Sequence, residues 1–403
     1  MPAITVRLKP DTTPEMAGEV SNTRRLESVD VVRGAIMIVM ALDHTRDFFG
    51  VPGISPTNVA RAGAALFLTR WITHFCAPVF FLLTGTGAYL SLRRKPVGDL
   101  SRLLFTRGLW LIVLEVVVLR CLGYQFNFDY RLTMLIVLWA LGWAMITLSA
   151  LVHLPLAAII AFGLGLIAGH NLLDGVRPAT AWLTVLHGQG FAINGPHAVF
   201  VAYPLIPWVA VTAAGFGLGR IYDWPSERRR TFLLRAGLML TTAFVVLRGI
   251  NIYGDPSPWR HQASSITTVL SFLNATKQPP SLLFLLMTLG PALLMLRAAE
   301  RDTPRWLRPA LVLGKVPLFY YVLHFTLLHL LAVGVAYARY RDAHWMFESP
   351  DVANYPFTPP PGWGYALPVV YAIWIGVVVA LYPACRWFAA VKQRRRDAWL
   401  SYL

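Results

Sequence analysis

The chain has 403 residues, of which 56% are hydrophobic and 14% charged, with a mean hydropathy of +0.54. Soluble proteins carry roughly 25% charged residues, so the composition excludes an ordinary soluble enzyme and predicts an all-α, polytopic integral membrane protein. The net charge of +16 sits in short basic clusters between apolar runs, which argues against nucleic acid as a partner and for a lipid bilayer.

Residues 1–27 are polar and read as a cytoplasmic tail with no cleavable signal. Ten apolar runs follow, at 30–49, 71–92, 104–122, 132–151, 154–169, 199–219, 231–250, 281–298, 310–337 and 365–390. Most approach the ~20 residues that cross a bilayer as a helix, the form that satisfies every backbone amide within its own segment. A transmembrane domain over 28–390 and a basic C-terminal tail over 391–403 result. Pro155 permits a tight turn between two runs, and "YPLIPW" (203–208) holds two prolines expected to break a helix. The run at 310–337 is long, and a tilt or a break near Pro317 is expected.

Basic residues fall in alternate connections: Arg93, Arg94, Lys95 and Arg102; Arg220 and Arg228 to Arg230; Arg297, Arg301, Arg305 and Arg308; then Lys392 and Arg394 to Arg396. The intervening loops hold only scattered positives such as Arg61, Arg177 and Arg260. With positive charge retained inside, about ten spans with both termini in the cytoplasm fit throughout. His44, His74, His170, His187, His197, His261, His329 and His344 then fall on or near the outer face, and His324 deep within a span.

The first run carries the chemistry. "RGAIMIVMALDHTRDFF" (33–49) places Asp43, His44, Arg46 and Asp47 in the last turns of an apolar helix, where ionisable groups are functional candidates. At 100° per residue, Arg33 and His44 lie within about 20° of one face and roughly 16 Å apart along the axis. Asp47, three residues beyond His44, shares its face and could orient the imidazole as a general base. Asp43 points elsewhere and could pair with Arg46 or Asp47. A polar cluster that merely locks two helices would show the same spacing. His74, inside the end of the second run, is a second candidate base.

Other features carry less. Glu115 is mid-span and needs an internal partner such as Arg107 or Arg120. Lys315, near the cytoplasmic end of its span, could reach a phosphate. Cys76, Cys121 and Cys385 have no metal-ligand spacing; Cys76 and Cys121 fall at one membrane face, where a bridge would fit, and otherwise read as apolar fillers. No phosphate loop, nucleophile elbow or metal motif is present, so no metal is expected.

"RLESVDVVRGAIMIVMALDH" (25–44) resembles the first-helix signature of transmembrane acyltransferases, and most closely the heparan-alpha-glucosaminide N-acetyltransferase family, chiefly its short bacterial members. "WITHFCAPVFFLLTGTGAYLSL" (71–92) resembles that family's next helix, and "LGKVPLFYYVLH" (313–324) a late one. Arg33 and His44, separated by ten residues, also match the arrangement of related enzymes that acetylate bacterial surface sugars. The resemblance implies His44 as the catalytic histidine and Arg33 as a cation on the coenzyme A side. The chain departs from the animal enzyme at position 44, which matches an Asn there. That enzyme's acetyl-handling His falls in the following loop, where this chain has none, so His44 or His74 has to serve.

The expected protein is thus an acyltransferase of a bacterial inner membrane. It would move an acyl group, acetyl first, from cytoplasmic acetyl-coenzyme A to a hydroxyl or amine of a glycan or other small acceptor outside. His44, Asp43, Asp47 and His74 are the candidate catalytic residues; Arg33, Arg107 and Lys315 are the candidate donor-binding ones. The rival is a proton-coupled transporter using the same buried Asp and His residues as a relay, although no paired broken helices mark an inverted repeat. The oligomeric state is open, a homodimer included.

Overall fold

The computed structural model describes residues 14–176, 180–301, 303–395 and 397–402. Arg7, Lys9, Arg177 and Arg396, used in the charge map, lie outside the described residues, as do the side chains of Arg24 and Arg25. In chain order the helices are α1 (Pro14–Phe49), α2 (Ala64–Thr73), α3 (Cys76–Ser91), α4 (Val97–Val113), α5 (Val137–Leu151), α6 (Leu156–Gly169) and α7 (Ala181–Leu186). Then come α8 (Leu205–Gly219), α9 (Ser226–Ile250), α10 (Ser265–Leu273), α11 (Leu282–Ala299), α12 (Arg308–Lys315), α13 (Pro317–Tyr340) and α14 (Leu367–Arg394). A π-helix, Leu114–Tyr124, prolongs α4. Three short strands, β1 (Leu132–Leu135), β2 (Gly190–Ile193) and β3 (Ala198–Val201), form a sheet in which β3 pairs parallel with β1 and antiparallel with β2.

The chain is mostly helical. Among the described residues, 7 helical segments are long and apolar enough to cross a membrane: Ala64–Ser91, Leu156–Leu173, Leu205–Asp223, Ser226–Ile250, Leu282–Ala299, Pro317–Tyr340 and Leu367–Arg394. The other three expected spans fall on α1, which carries Asp30, Arg33, Asp43, Arg46 and Asp47, on α4 with its π-helix, and on the 15-residue α5.

Several expectations need correcting. The second span begins at Ala64 and is divided into α2 and α3 around His74, where Pro78 has no N–H to offer the His74 carbonyl. The runs at 132–151 and 199–219 each begin as strand, because Leu132–Leu135 pairs with Ala198–Val201. Pro204 caps the start of α8, so "YPLIPW" opens a helix where a broken one was expected. The break near Pro317 is present: α12 stops at Lys315, and Pro317, needing no donor partner, opens α13. All three cysteines are buried and free, so Cys76 and Cys121 form no bridge.

Without a hydrophobic force between helices in lipid, close contact depends on small residues. Helix α3 packs along α8, and α1 packs along α12 while also touching α2, α3, α11, α13 and α14. In the α1–α12 contact a Cβ built on Gly34 would lie 1.7 Å from the Ala310 carbonyl oxygen, and one on Gly314 would lie 1.8 Å from that of Asp30. Gly314→Val should therefore push α12 off α1, at a cost of about 1–3 kcal/mol or more. A lowered midpoint of thermal unfolding in detergent is the expected result, and an unchanged midpoint would contradict the contact. Toward the lipid, α9 and α14 expose apolar side chains such as Met239 and Val379.

Hydrogen bonds between connections sort them into two ends. At the basic end Arg93 and Tyr89 both bond Asp223, Ser28 and Arg229 both bond Glu300, and Ser101 bonds the Ser149 carbonyl. At the far end Trp363 bonds the Phe48 carbonyl, Asn274 that of Thr57, and Tyr253 that of Ala168. Arg93 and Arg229, from two of the basic clusters, thus lie at one end of the bundle.

Candidate active site

Helix α1 runs through the middle of the bundle and presents His44 to α13. His44 Nδ1 lies 2.7 Å from His324 Nε2, and His324 Nδ1 lies 3.0 Å from the Tyr320 carbonyl oxygen. A carbonyl can only accept, so His324 Nδ1 carries a proton. In the neutral ring its Nε2 then accepts from His44 Nδ1–H, and the lone pair of His44 is left on Nε2. That nitrogen has no hydrogen-bond partner among the described residues. The His44 ring stacks on Phe325 at 4.1 Å and meets Tyr124 and Tyr321 edge-on at 6.4 and 6.3 Å. The imidazole is thus held on one face by an aromatic ring and at one nitrogen by a fixed acceptor.

The acidic residues do different work from that expected. Asp47 does not reach His44; its carboxylate binds Arg46 Nη2 at 2.6 Å. Asp43 lies 2.9 Å from the same Arg46 nitrogen and accepts a hydrogen bond from Arg70 of α2. A guanidinium between two carboxylates is a stronger, charge-assisted partner than a neutral imidazole, so Arg46 takes both. Lys277, in the connection between α10 and α11, is close enough to feel Arg70 and Asp43; burial, then Arg70, draw its ammonium down to about 8. Asp255 holds that connection by accepting from Thr276 and Ser281, and Arg248 braces it by donating to the carbonyls of Phe272 and Asn274.

His74 sits at the α2–α3 junction, 2% exposed, edge-on to Phe284 at 5.3 Å. Neither ring nitrogen has a partner among the described residues, and His74 lines neither of the cavities described below. Glu115 is satisfied by neither Arg107 nor Arg120. It accepts from the backbone N–H groups of Ile136, Leu138 and Trp139 and so caps α5, whose N-terminal dipole favours a carboxylate. Arg120 is taken up by Gln125, Asn127 and the Leu132 carbonyl.

Two cavities flank His44. The first, about 320 Å³, gathers Arg33, Arg107, Lys315 and Lys392, and beyond them an apolar wall including Met37, Met40 and Leu138 that ends at Tyr321. All three cations assigned to the donor by the sequence line this one space. Arg33 is held there by Asp30 at 2.8 Å and by the Gly314 carbonyl at 3.2 Å. The second cavity, about 340 Å³, lies at the far end and is lined by Arg46, Asp47, Tyr355, Phe357, Trp363 and Tyr365. Tyr355 stacks on Tyr124 at 4.7 Å. His44 lines neither cavity itself: it meets Tyr321 of the first wall edge-on, and Tyr124 stands between it and Tyr355 of the second.

Arg70, Lys277, Tyr321 and Tyr355 were not among the residues singled out from the sequence, and His324 was placed only deep within a span. Arg70 had a usable signal, a cation inside the apolar stretch "AALFLTRWIT" (64–73). Among the described residues no group of three or more His, Cys, Asp or Glu converges as on a metal ion.

No curated protein matches the chain. The family described as "Heparan-alpha-glucosaminide N-acetyltransferase, catalytic" matches residues 25–253, which includes Arg33, Asp43, His44, Asp47, His74 and Arg107 and ends before Lys315 and His324. The match covers more than half of the 403 residues and begins on the first-helix signature itself, so the chain belongs to this family of membrane acetyltransferases.

Proposed function

We propose that the protein takes an acyl group, acetyl first, from acyl-coenzyme A in the cavity at the basic end and passes it to a hydroxyl or amine in the cavity at the far end. The basic end faces the cytoplasm of a bacterium, both termini lie on that side, and the far end faces outward across the plasma membrane. Residues 28–390 form the transmembrane domain between the tails 1–27 and 391–403. The observation that carries this reading is the position of His44: an imidazole between two cavities, its one nitrogen tied and its other without a partner.

In this account the nucleotide of the donor rests among Arg33, Arg107 and Lys315, and its pantetheine arm runs along the apolar wall toward Tyr321. His44 Nε2 takes the proton of the attacking hydroxyl or amine, the acceptor heteroatom bonds to the thioester carbonyl carbon, and the thiolate departs. The chain His44–His324–Tyr320 fixes the tautomer this requires. Aromatic faces at Tyr355, Phe357 and Trp363 suit the apolar face of a sugar ring, and Asp47 and Arg46 offer an acceptor and a donor for its hydroxyls, which supports a glycan acceptor. His74 acts through the ionic cluster of Asp43 and Arg70.

Coenzyme A carries several phosphate charges, and a charge-assisted contact contributes about 1.5–3 kcal/mol. Lys315→Ala should weaken acetyl-coenzyme A binding about 10- to 150-fold with unfolding unchanged. Isothermal titration on purified protein is the test. Unaltered affinity would remove Lys315 from the donor site. Absence of binding to the wild type would overturn the acyltransferase reading and favour proton-coupled transport.

A further inference from the structure

The C-terminal tail does not trail into solvent. After α14 the chain folds back, and Ala398–Tyr402 forms a short 3-10 turn against α4. Leu400 is only 3% exposed, the Tyr402 hydroxyl lies 2.9 Å from Thr106 Oγ1, and Trp110 Nε1 donates to the Tyr402 carbonyl at 3.2 Å. Tyr402, Trp110 and Arg107 line the same cavity as Arg33 and Lys315. A segment that reads as a basic tail therefore contributes a residue to the lining of the basic-end cavity.

We propose that Tyr402 is a binding residue for the nucleotide end of the donor, and that the turn Ala398–Tyr402 closes that side of the site. This role for Tyr402 rests on the reading of the cavity as the acyl-coenzyme A site. An adenine base needs a flat apolar face, and its attached phosphates need cations within a few ångströms. The basic end of the cavity supplies both: Tyr402 and Trp110 are aromatic, and Arg107 and Lys392 line the same wall. Elsewhere the lining is apolar, through residues such as Met40 and Leu138, which suits the pantetheine arm. The anchoring of Tyr402 to two residues of α4 fixes the tail in place before the ligand arrives, which lowers the ordering cost of binding.

The test compares coenzyme A with S-acetylpantetheine, which lacks the nucleotide, on the full-length wild type, on Tyr402→Ala and on a deletion of residues 397–403, with thermal unfolding as a check on integrity. Loss of one stacking aromatic corresponds to about 5- to 150-fold in affinity. Tyr402→Ala and the deletion should both weaken coenzyme A by that factor and leave S-acetylpantetheine unchanged. Unchanged coenzyme A affinity in both variants, or an equal loss for both ligands, would overturn the assignment of the tail to the nucleotide. A wild type that binds S-acetylpantetheine and coenzyme A equally well would also overturn it. A wild type that binds neither would instead overturn the donor reading of the cavity, and this inference with it.

Discussion

His44→Asn should abolish nearly all transfer while the protein still inserts and binds acetyl-coenzyme A. Asn keeps approximate size and some hydrogen bonding but takes up no proton near neutral pH, and removing a general base costs typically 10²–10⁴-fold in rate. The loss should appear in kcat, with the Kd for the donor unaltered, because His44 is not among the residues that line the donor cavity. His324→Asn should lower kcat less, since its ring holds the His44 tautomer at 2.7 Å and touches neither cavity. Asp47→Asn should have the smallest effect on kcat of the three, its carboxylate being bound to Arg46. Turnover of acetyl-coenzyme A by detergent-purified variants, read as free thiol, decides the order. A His44→Asn protein with near wild-type turnover would remove the proposed base.

The second large effect is on stability. Asp43 is the shared partner of Arg46 and Arg70, all three side chains being less than one-fifth exposed. Breaking a buried pair by removing one charge costs about 3–5 kcal/mol, because the other charge stays buried and unmatched. Asp43→Asn would leave Arg46, Arg70 and Lys277 facing Asp47 alone, so its unfolding midpoint should fall sharply. Removing one cation as well, in Asp43→Asn with Arg70→Met, should recover much of the loss, the coupling expected of residues in one network. Two losses that simply add would show that Asp43 and Arg70 do not act as a pair.

Legibility in the sequence followed the range of the interaction. The helical class and the break at Pro317 were readable because the first depends on local composition and the second on a single proline. The clustering of Arg33, Arg107 and Lys315 was inferred from chemistry alone, and the three do share one cavity. The strands were not readable, since Leu132–Leu135 becomes extended only by pairing with Ala198–Val201, more than sixty residues away. The partner of His44 was missed for a related reason. Spacing on one helix offers only i+3 and i+4 neighbours, so it pointed to Asp47, whereas the ring nitrogen meets His324, 280 positions on. Glu115 was read as needing a cation because a helix N-terminus leaves no mark on the sequence as a partner. The α5 terminus supplies three backbone donors instead.

The proposed transfer depends most directly on where the donor sits. A cryo-electron microscopy map of the purified protein at saturating acetyl-coenzyme A should show the nucleotide among Arg33, Arg107 and Lys315, with the thioester directed past Tyr321 toward His44. Density for the donor elsewhere on the protein, or an empty basic cavity at saturation, would contradict it.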